Sequence, residues 1–271
     1  MQDRNYQQAA IRLGTHGENY GSWMSNPVFY VVGGLFALAV VLAVLSFAVF
    51  HITALGVVFV IAAVILLALF LWCAWIRRQY AFGGGGMMER THLVILSHLD
   101  FDGQGQLLEV GCGSGPLSIR AALMWPEAKV TGIDYWGAAY GYGQAMCEKN
   151  AAGEGVGSRC TFQHGDANRL DFPDESFDAV VSNYVYHNII GADKHELLLE
   201  TLRVLKKGGV FALNDEMKPR MYGDMEAFAQ ELRDMGYQEV RLIDTATEAF
   251  GSRRRAAMMM LGESKMLVGR K

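Results

Sequence analysis

At 271 residues the chain has room for one catalytic domain of ordinary size plus a smaller segment. Its 51% hydrophobic content is inflated by one apolar block, and a formal net charge of −4 gives no general electrostatic reason to bind nucleic acid. Four cysteines, Cys73, Cys112, Cys147 and Cys160, stand without CxxC or Cys/His spacing, so neither a zinc site nor a disulfide framework is indicated, and a reducing compartment fits.

In residues 1–27 the charges of Asp3, Arg4, Arg12 and Glu18 balance, while Tyr6, Ile11, Leu13, Tyr20 and Trp23 suit a segment that lies on headgroups or covers an active site. From Val28 to Ile76 there is no Asp, Glu, Lys or Arg. A bilayer core of about 30 Å takes about 20 helical residues, so this run predicts two spans, Val28 to Phe50 and Ala54 to Ile76. A tight reversal is expected at His51-Ile52-Thr53 before Gly56, and Trp72, Trp75 and Tyr80 fit an aromatic belt beside Arg77 and Arg78. The run begins too late and is too long for a signal peptide, and a hairpin buried in a soluble core would need cover on all sides. Arg77 and Arg78 place the C-terminal part of the chain on the cytosolic face, and an even number of spans returns the N-terminus to the same side. Gly33, Gly34, Ala37, Ala39 and Ala43 allow close helix packing and a homo-oligomer through the hairpin. Gly83 to Gly86 cannot hold a helix against glycine's conformational entropy, so residues 77–86 read as a linker and residues 87–271 as a separate domain.

Within 87–271 helical and strand patterns alternate. Helices are predicted over Met88 to Leu99, Pro116 to Met124, Ala138 to Ala152, Lys194 to Leu205 and Met225 to Met235. Strands are predicted over Leu107 to Val110, Lys129 to Asp134, Arg159 to His164, Phe177 to Asn183, Val210 to Asn214, Glu239 to Asp244 and Lys265 to Gly269, with no convincing helix between the last two. Such alternation implies an α/β fold with a mostly parallel sheet covered on both faces. Ligands of these sheets sit beyond the C-terminal ends of the strands, where strand order switches.

The strand Leu107 to Val110 runs into Gly111-Cys112-Gly113-Ser114-Gly115, with Glu109 at its end. Glycines at such a turn tolerate positive φ and admit a ligand close to backbone amides. The next strand ends in Asp134, an acid suited to grip two ribose hydroxyls. Together these residues resemble the class I S-adenosylmethionine-dependent methyltransferases, over roughly Met87 to Lys271. Glu109 to Gly115 is similar to the first motif of that family, Asp134 to its ribose-binding acid, and His164-Gly165-Asp166-Ala167 to its adenine-contacting turn. Phe172 to Ser182 resembles the approach to the fourth strand, and Leu205 to Phe211 the turn into the fifth.

The resemblance implies a Rossmann-like, seven-stranded, mostly parallel sheet with an antiparallel edge hairpin, and S-adenosylmethionine as cofactor. It implies that Glu109 holds the methionyl amino group, that the Gly111-Cys112-Gly113 turn and Gly115 admit the cofactor backbone, and that Asp134 takes the ribose. Tyr135 and Trp136 then lie beside the adenine, Asp166 and Ala167 read its edge, and Ser182 borders the site. The need for that cofactor is a second reason to expect a cytosolic catalytic domain. The segment after the fourth strand, Ser182 to Asn188, borders the transferred methyl group. His187 is there the candidate general base, Tyr184 and Tyr186 are candidates to orient a substrate or to pack, and Asp215 and Glu216 are weaker acid/base candidates. Ser182-Asn183-Tyr184-Val185 lacks both prolines of the Asn/Asp-Pro-Pro-Tyr segment of nucleobase and glutamine methyltransferases, so the pattern resembles enzymes of quinones, sterols, lipids or thiols. Arg253-Arg254-Arg255 and Met258-Met259-Met260 suit either anionic headgroups or an apolar pocket, the latter shared with Tyr20, Trp23, Tyr184 and Tyr186.

The expected function is a membrane-anchored methyltransferase of an apolar or membrane-associated small molecule. Methylation of a protein or soluble metabolite, and a non-catalytic cofactor-binding module, are the alternatives.

Overall fold

The computed structural model describes residues 13–14, 18–21, 26–82, 86–137 and 143–271. Trp23, Gly83 to Gly85 and the first five residues of the helix predicted from Ala138 lie outside them. Helices α1 (Asn26–Ala48) and α2 (Thr53–Tyr80) form a hairpin whose reversal places His51 at φ 53°. The turn is closed by the Ile52 amide, which donates to the Ser46 carbonyl at 2.9 Å. A Cβ on Gly56 would lie 2.6 Å from the Phe47 ring, so glycine there lets the ring rest against the helix backbone. Both helices are long and apolar enough to cross a membrane. Val41, Val44, Val58, Ile61, Val64 and Ile65 are exposed along them, far more apolar surface than a water-facing hairpin carries.

Helix α2 runs four residues beyond the predicted span, to Tyr80, close to the glycine run expected to end it. Its last turns belong to the core of the C-terminal domain: Ile76 is wholly buried, Cys73 and Tyr80 nearly so, and the Tyr80 hydroxyl donates to the Met259 carbonyl at 2.8 Å. The glycine run therefore does not coincide with the edge of the packed core.

Beyond it come α3 (Met87–His98), β1 (Gly105–Val110), α4 (Pro116–Met124), β2 (Ala128–Asp134), α5 (Gln144–Gly153), β3 (Cys160–His164), β4 (Phe177–Asn183), α6 (Lys194–Arg203), β5 (Leu205–Glu216), α7 (Pro219–Tyr222), α8 (Met225–Asp234), β6 (Gln238–Ile243), α9 (Thr245–Phe250), α10 (Arg253–Met258) and β7 (Ser264–Arg270). The seven strands lie in the order β3-β2-β1-β4-β5-β7-β6, with β7 antiparallel to both neighbours and the other pairings parallel. This is the sheet that the sequence implied.

Its two faces follow from the two-residue period of a strand. Leu107, Ala179, Val181, Ala212 and Val268 pack with α3, α4 and the end of α2, whereas Leu108, Val180, Phe211, Leu213 and Leu267 pack with α6 and α8. Helices α6 and α8 start at Asp193 and Asp224, whose carboxylates accept from the first free backbone amides.

The C-terminal third differs from expectation, where the short helix α7 also goes unpredicted. Strand β5 extends from Leu205 to Glu216, because its flanks pair with Phe177 and with Ser264. Between β6 and β7 stand α9 and α10, each six residues long, started by the side chains of Asp244 and Ser252. They are too short to show a helical period, and their caps are their only local signal.

Candidate functional site

The C-terminal ends of β1, β2 and β3 share one rim. After β1 the chain turns through Gly111, Gly113 and Gly115, at φ 77°, 58° and 87°. Side chains rarely adopt such angles, and at Gly111 a Cβ would also lie 2.1 Å from a Val185 methyl. The amides of Gly111 and Cys112 both donate to the Ile133 carbonyl, at 2.8 and 2.9 Å, which stitches the turn to β2. The Cys112 side chain is buried beneath it.

Asp134 ends β2 and bridges the glycine turn to the segment after its own strand. One carboxylate oxygen accepts from the Gly113 amide at 2.8 Å, the other from the Trp136 amide at 2.7 Å. The Trp136 indole donates back to the Gly113 carbonyl at 2.8 Å, with its backbone in the left-handed region at φ 44°. Tyr135 is exposed and rests against the His164 ring, with centroids 5.1 Å apart. The turn after β3 is drawn in by the Gly165 amide, which donates to the Asp134 carbonyl at 3.0 Å. Asp166 is exposed there and holds the Asn168 amide at 2.9 Å, and Ala167 is buried behind it.

Glu109 lies under the turn, nearly inaccessible, and accepts from the Ser118 amide and hydroxyl at 2.7 and 2.5 Å. Burial pushes its pKa up to about 8, against the lowering effect of the Ser118 bonds. A carboxylate that burial holds protonated is the complement of an incoming ammonium group, whose charge would ionise it. Three positive-φ glycines, an acid at the next strand end and this buried carboxylate are a donor set that fits a nucleoside bearing an amino acid.

The ends of β4 and β5 form the other half. Tyr184 follows β4 at φ 57°, its amide donating to Asn214 and its hydroxyl paired with Ser264 at 2.9 Å. Burial pushes its pKa up to about 12, so it stays a neutral hydroxyl near pH 7. A single 3₁₀ turn, Tyr186–Asn188, then presents His187. The His187 Nδ1–H donates to the Asp215 carboxylate, and the His187 amide reaches the same group at 3.1 Å. Asp215 is fully buried and also accepts from the Glu216 amide at 2.7 Å. In the neutral ring, a donating Nδ1 leaves the lone pair on Nε2, on a side chain that is partly exposed. Glu216, raised by burial and lowered by Lys218 and His187, completes the cluster.

Two expected residues are not on the rim. Tyr186 is wholly buried in the α6 side of the core and its hydroxyl pairs with Thr201 at 2.9 Å, so packing is its role. The left-handed backbone at Tyr184 and the 3₁₀ turn after it break the strand's two-residue period, so the two tyrosines go to opposite sides of the sheet. Ser182 is also fully buried, beside Val110 in register, behind the rim. Nor do Tyr20, Tyr184, Tyr186 and Met258 to Met260 gather into one entrance: Met259 is buried, Met258 and Met260 face outward, and Tyr20 sits by the glycine turn. There its carbonyl accepts from Ser114 at 2.8 Å, while Asn19 and Asn150 exchange amide hydrogen bonds at 3.1 and 2.9 Å. Asn150 and Ser264 carry no motif, and only the fold joins them to the site.

Residues 108–213 match a family model described as a methyltransferase domain. A demethylmenaquinone methyltransferase of Symbiobacterium thermophilum is 31% identical over 138 residues, 49% of this chain and 51% of the relative. A ubiquinone/menaquinone biosynthesis C-methyltransferase of Desulfotalea psychrophila is 31% identical over 137 residues, 49% and 50% of the two chains. A 27-O-demethylrifamycin SV methyltransferase of Amycolatopsis mediterranei is 30% identical over 141 residues, 51% and 48%. The chain thus spans about half the length of these relatives. Among solved structures, a geranyl diphosphate methyltransferase complex superposes with a TM-score of 0.52 at 14% identity, covering 69% of this chain and 83% of that one. The [4+2]-cyclase SpnF does so with a TM-score of 0.52 at 21% identity, covering 67% and 80%. These likenesses give the fold, and the cyclase among them shows that the fold alone does not fix the reaction.

Proposed function

The chain carries a methyltransferase domain of the class I fold, and from that premise we propose that it moves a methyl group from S-adenosylmethionine to an apolar small molecule residing in a membrane. The observation that carries this reading is the His187–Asp215 pair on the rim beside the glycine turn. Bound there, the cofactor supplies a methyl carbon made electrophilic by its sulfonium.

In this reading Glu109 receives the ammonium group, Gly111, Cys112, Gly113 and Gly115 line the amino-acid part, and Asp134 takes the ribose. Tyr135, Trp136, Asp166 and Ala167 bound the base. His187 Nε2 accepts the proton of the acceptor's hydroxyl, and the imidazolium so formed is paired with Asp215, which the His187 and Glu216 amides hold in place. Tyr184, neutral and held by Ser264, orients the acceptor. A base is required where the nucleophile loses a proton, as a phenol or quinol does. The relatives named for demethylmenaquinone and ubiquinone make a quinol-like ring the first candidate.

Helices α1 and α2 are the anchor: residues 28–72 cross the bilayer, the last turns of α2 enter the catalytic core, and residues 1–27 and 87–271 stay on the cytosolic face marked by Arg77 and Arg78. The test uses the full chain in lipid nanodiscs with methyl-labelled S-adenosylmethionine, offered either a solvent extract of membranes or an aqueous extract. Label in an apolar product is expected. Label in a protein or a water-soluble product overturns the acceptor class, and cofactor binding without turnover in either extract overturns the enzyme.

A further inference from the structure

The C-terminal arginines and methionines take no part in the site, yet they lie at a defined height on the anchor. From Thr53 to Trp72 helix α2 rises about 30 Å at ~1.5 Å per residue, the thickness of a bilayer's hydrocarbon core. Trp72 thus marks the interface, and its indole N–H donates to the Met258 carbonyl at 3.3 Å. That bond pins the end of α10 to the same level. Around it Met258 is 60% and Met260 49% exposed, unusual for large apolar side chains on a water-facing turn, while Ala256 and Met259 face the core. On the same element Arg253, Arg254 and Arg255 are exposed, and Arg253 is oriented by Asp244 at 2.9 Å. Arg78 lies in the last turn of α2.

We infer that α10 and the turn after it form a membrane-docking surface, in which Met258 and Met260 enter the bilayer's headgroup boundary and Arg254 and Arg255 engage the phosphates of anionic phospholipids. The inference rests on reading α1 and α2 as membrane spans. Its physical basis is charge complementarity, continuity with the anchor through Trp72, and the exposed apolar side chains at that height.

The experiment uses the full chain bearing a nitroxide at Met258→Cys, and separately at Ile61→Cys, reconstituted into vesicles of phosphatidylcholine alone or with one-third phosphatidylglycerol. Wild-type chain controls for labelling of native cysteines. Collisional accessibility to oxygen and to a water-soluble nickel chelate gives depth. Position 258 should report the headgroup boundary in the anionic vesicles. Arg254→Gln with Arg255→Gln should shift it toward water, each arginine accounting for about fivefold in the docked-to-undocked ratio, an effect lost at high salt. A water-exposed label at 258 in both vesicle types, with position 61 in the hydrocarbon core, overturns the docking surface and leaves the anchor standing. A boundary signal that ignores both the arginines and the anionic lipid overturns the phosphate contact. Position 61 in water overturns the anchor itself.

Discussion

Replacing His187 with glutamine tests the assignment of the base most directly. The substitution removes Nε2, the atom on the rim poised to accept a proton, while Asp215 keeps the backbone amides of residues 187 and 216 at 3.1 and 2.7 Å. One charge-assisted hydrogen bond is lost, about 1.5–3 kcal/mol. A domain with a stability of roughly 5–15 kcal/mol withstands that. A positioned base contributes about 10²–10⁴ in rate, or about 2.7–5.5 kcal/mol of activation free energy. Single-turnover formation of S-adenosylhomocysteine should therefore slow by two to four orders of magnitude, with its affinity, read by calorimetry, unchanged within about twofold. Asp215→Asn should lose a comparable factor, because an amide N–H facing Nδ1 forces the proton onto Nε2. A His187→Gln chain that keeps its rate within threefold of wild type would refute the base, and with it the choice of a hydroxyl acceptor.

Glu109 predicts a pH dependence of cofactor binding. With its pKa at about 8, it is protonated in the free protein at lower pH, so binding an ammonium group must release a proton, and affinity should fall up to tenfold per unit below about 8. Above that the ligand's own α-amino group, near 7.7–8.0 in reference peptides, loses its charge, so affinity for S-adenosylhomocysteine should peak close to pH 8, and Glu109→Gln should abolish the acid limb. Gly111→Ala should cost roughly 2–5 kcal/mol in denaturant titrations, from left-handed strain and collision with Val185; adding Val185→Ala should recover only the collision. Deleting residues 1–82 takes Leu13, Tyr20, Ile76 and Tyr80 out of the core at about 2 kcal/mol each, so the remaining domain should melt well below the full chain, and equal melting temperatures would contradict the packing described.

Most of the sheet was legible because its signals are local. Leu107 to Gly115 and Ala128 to Asp134 each combine an apolar run with a residue that ends it for a chemical reason. What stayed hidden depends on distance in sequence. Nothing near Ser264 says that its hydroxyl meets Tyr184, and nothing in Tyr186 says that it turns into the core while Tyr184 does not. What covers the end of α2 stayed hidden for a different reason. Arg77 and Arg78 look like a boundary, yet they lie on the solvent side of turns whose other side, Ile76 and Tyr80, packs under Met259. Periodicity shows that a side is apolar and leaves open whether lipid or protein covers it.

The burial of Ile76 and Tyr80 also sets the kinetics such a chain should obey. If α1 and α2 cross the bilayer as proposed, a rod that ends inside the catalytic core is a rigid post, so the rim cannot wander through the volume that a flexible leash would sweep. Only molecules at the surface of that one leaflet come within reach, and they arrive by lateral diffusion. Encounter is then governed by how many acceptor molecules lie among the surrounding lipids: diluting them with inert lipid at constant bulk concentration should slow turnover in proportion, whereas diluting the vesicles in buffer should not.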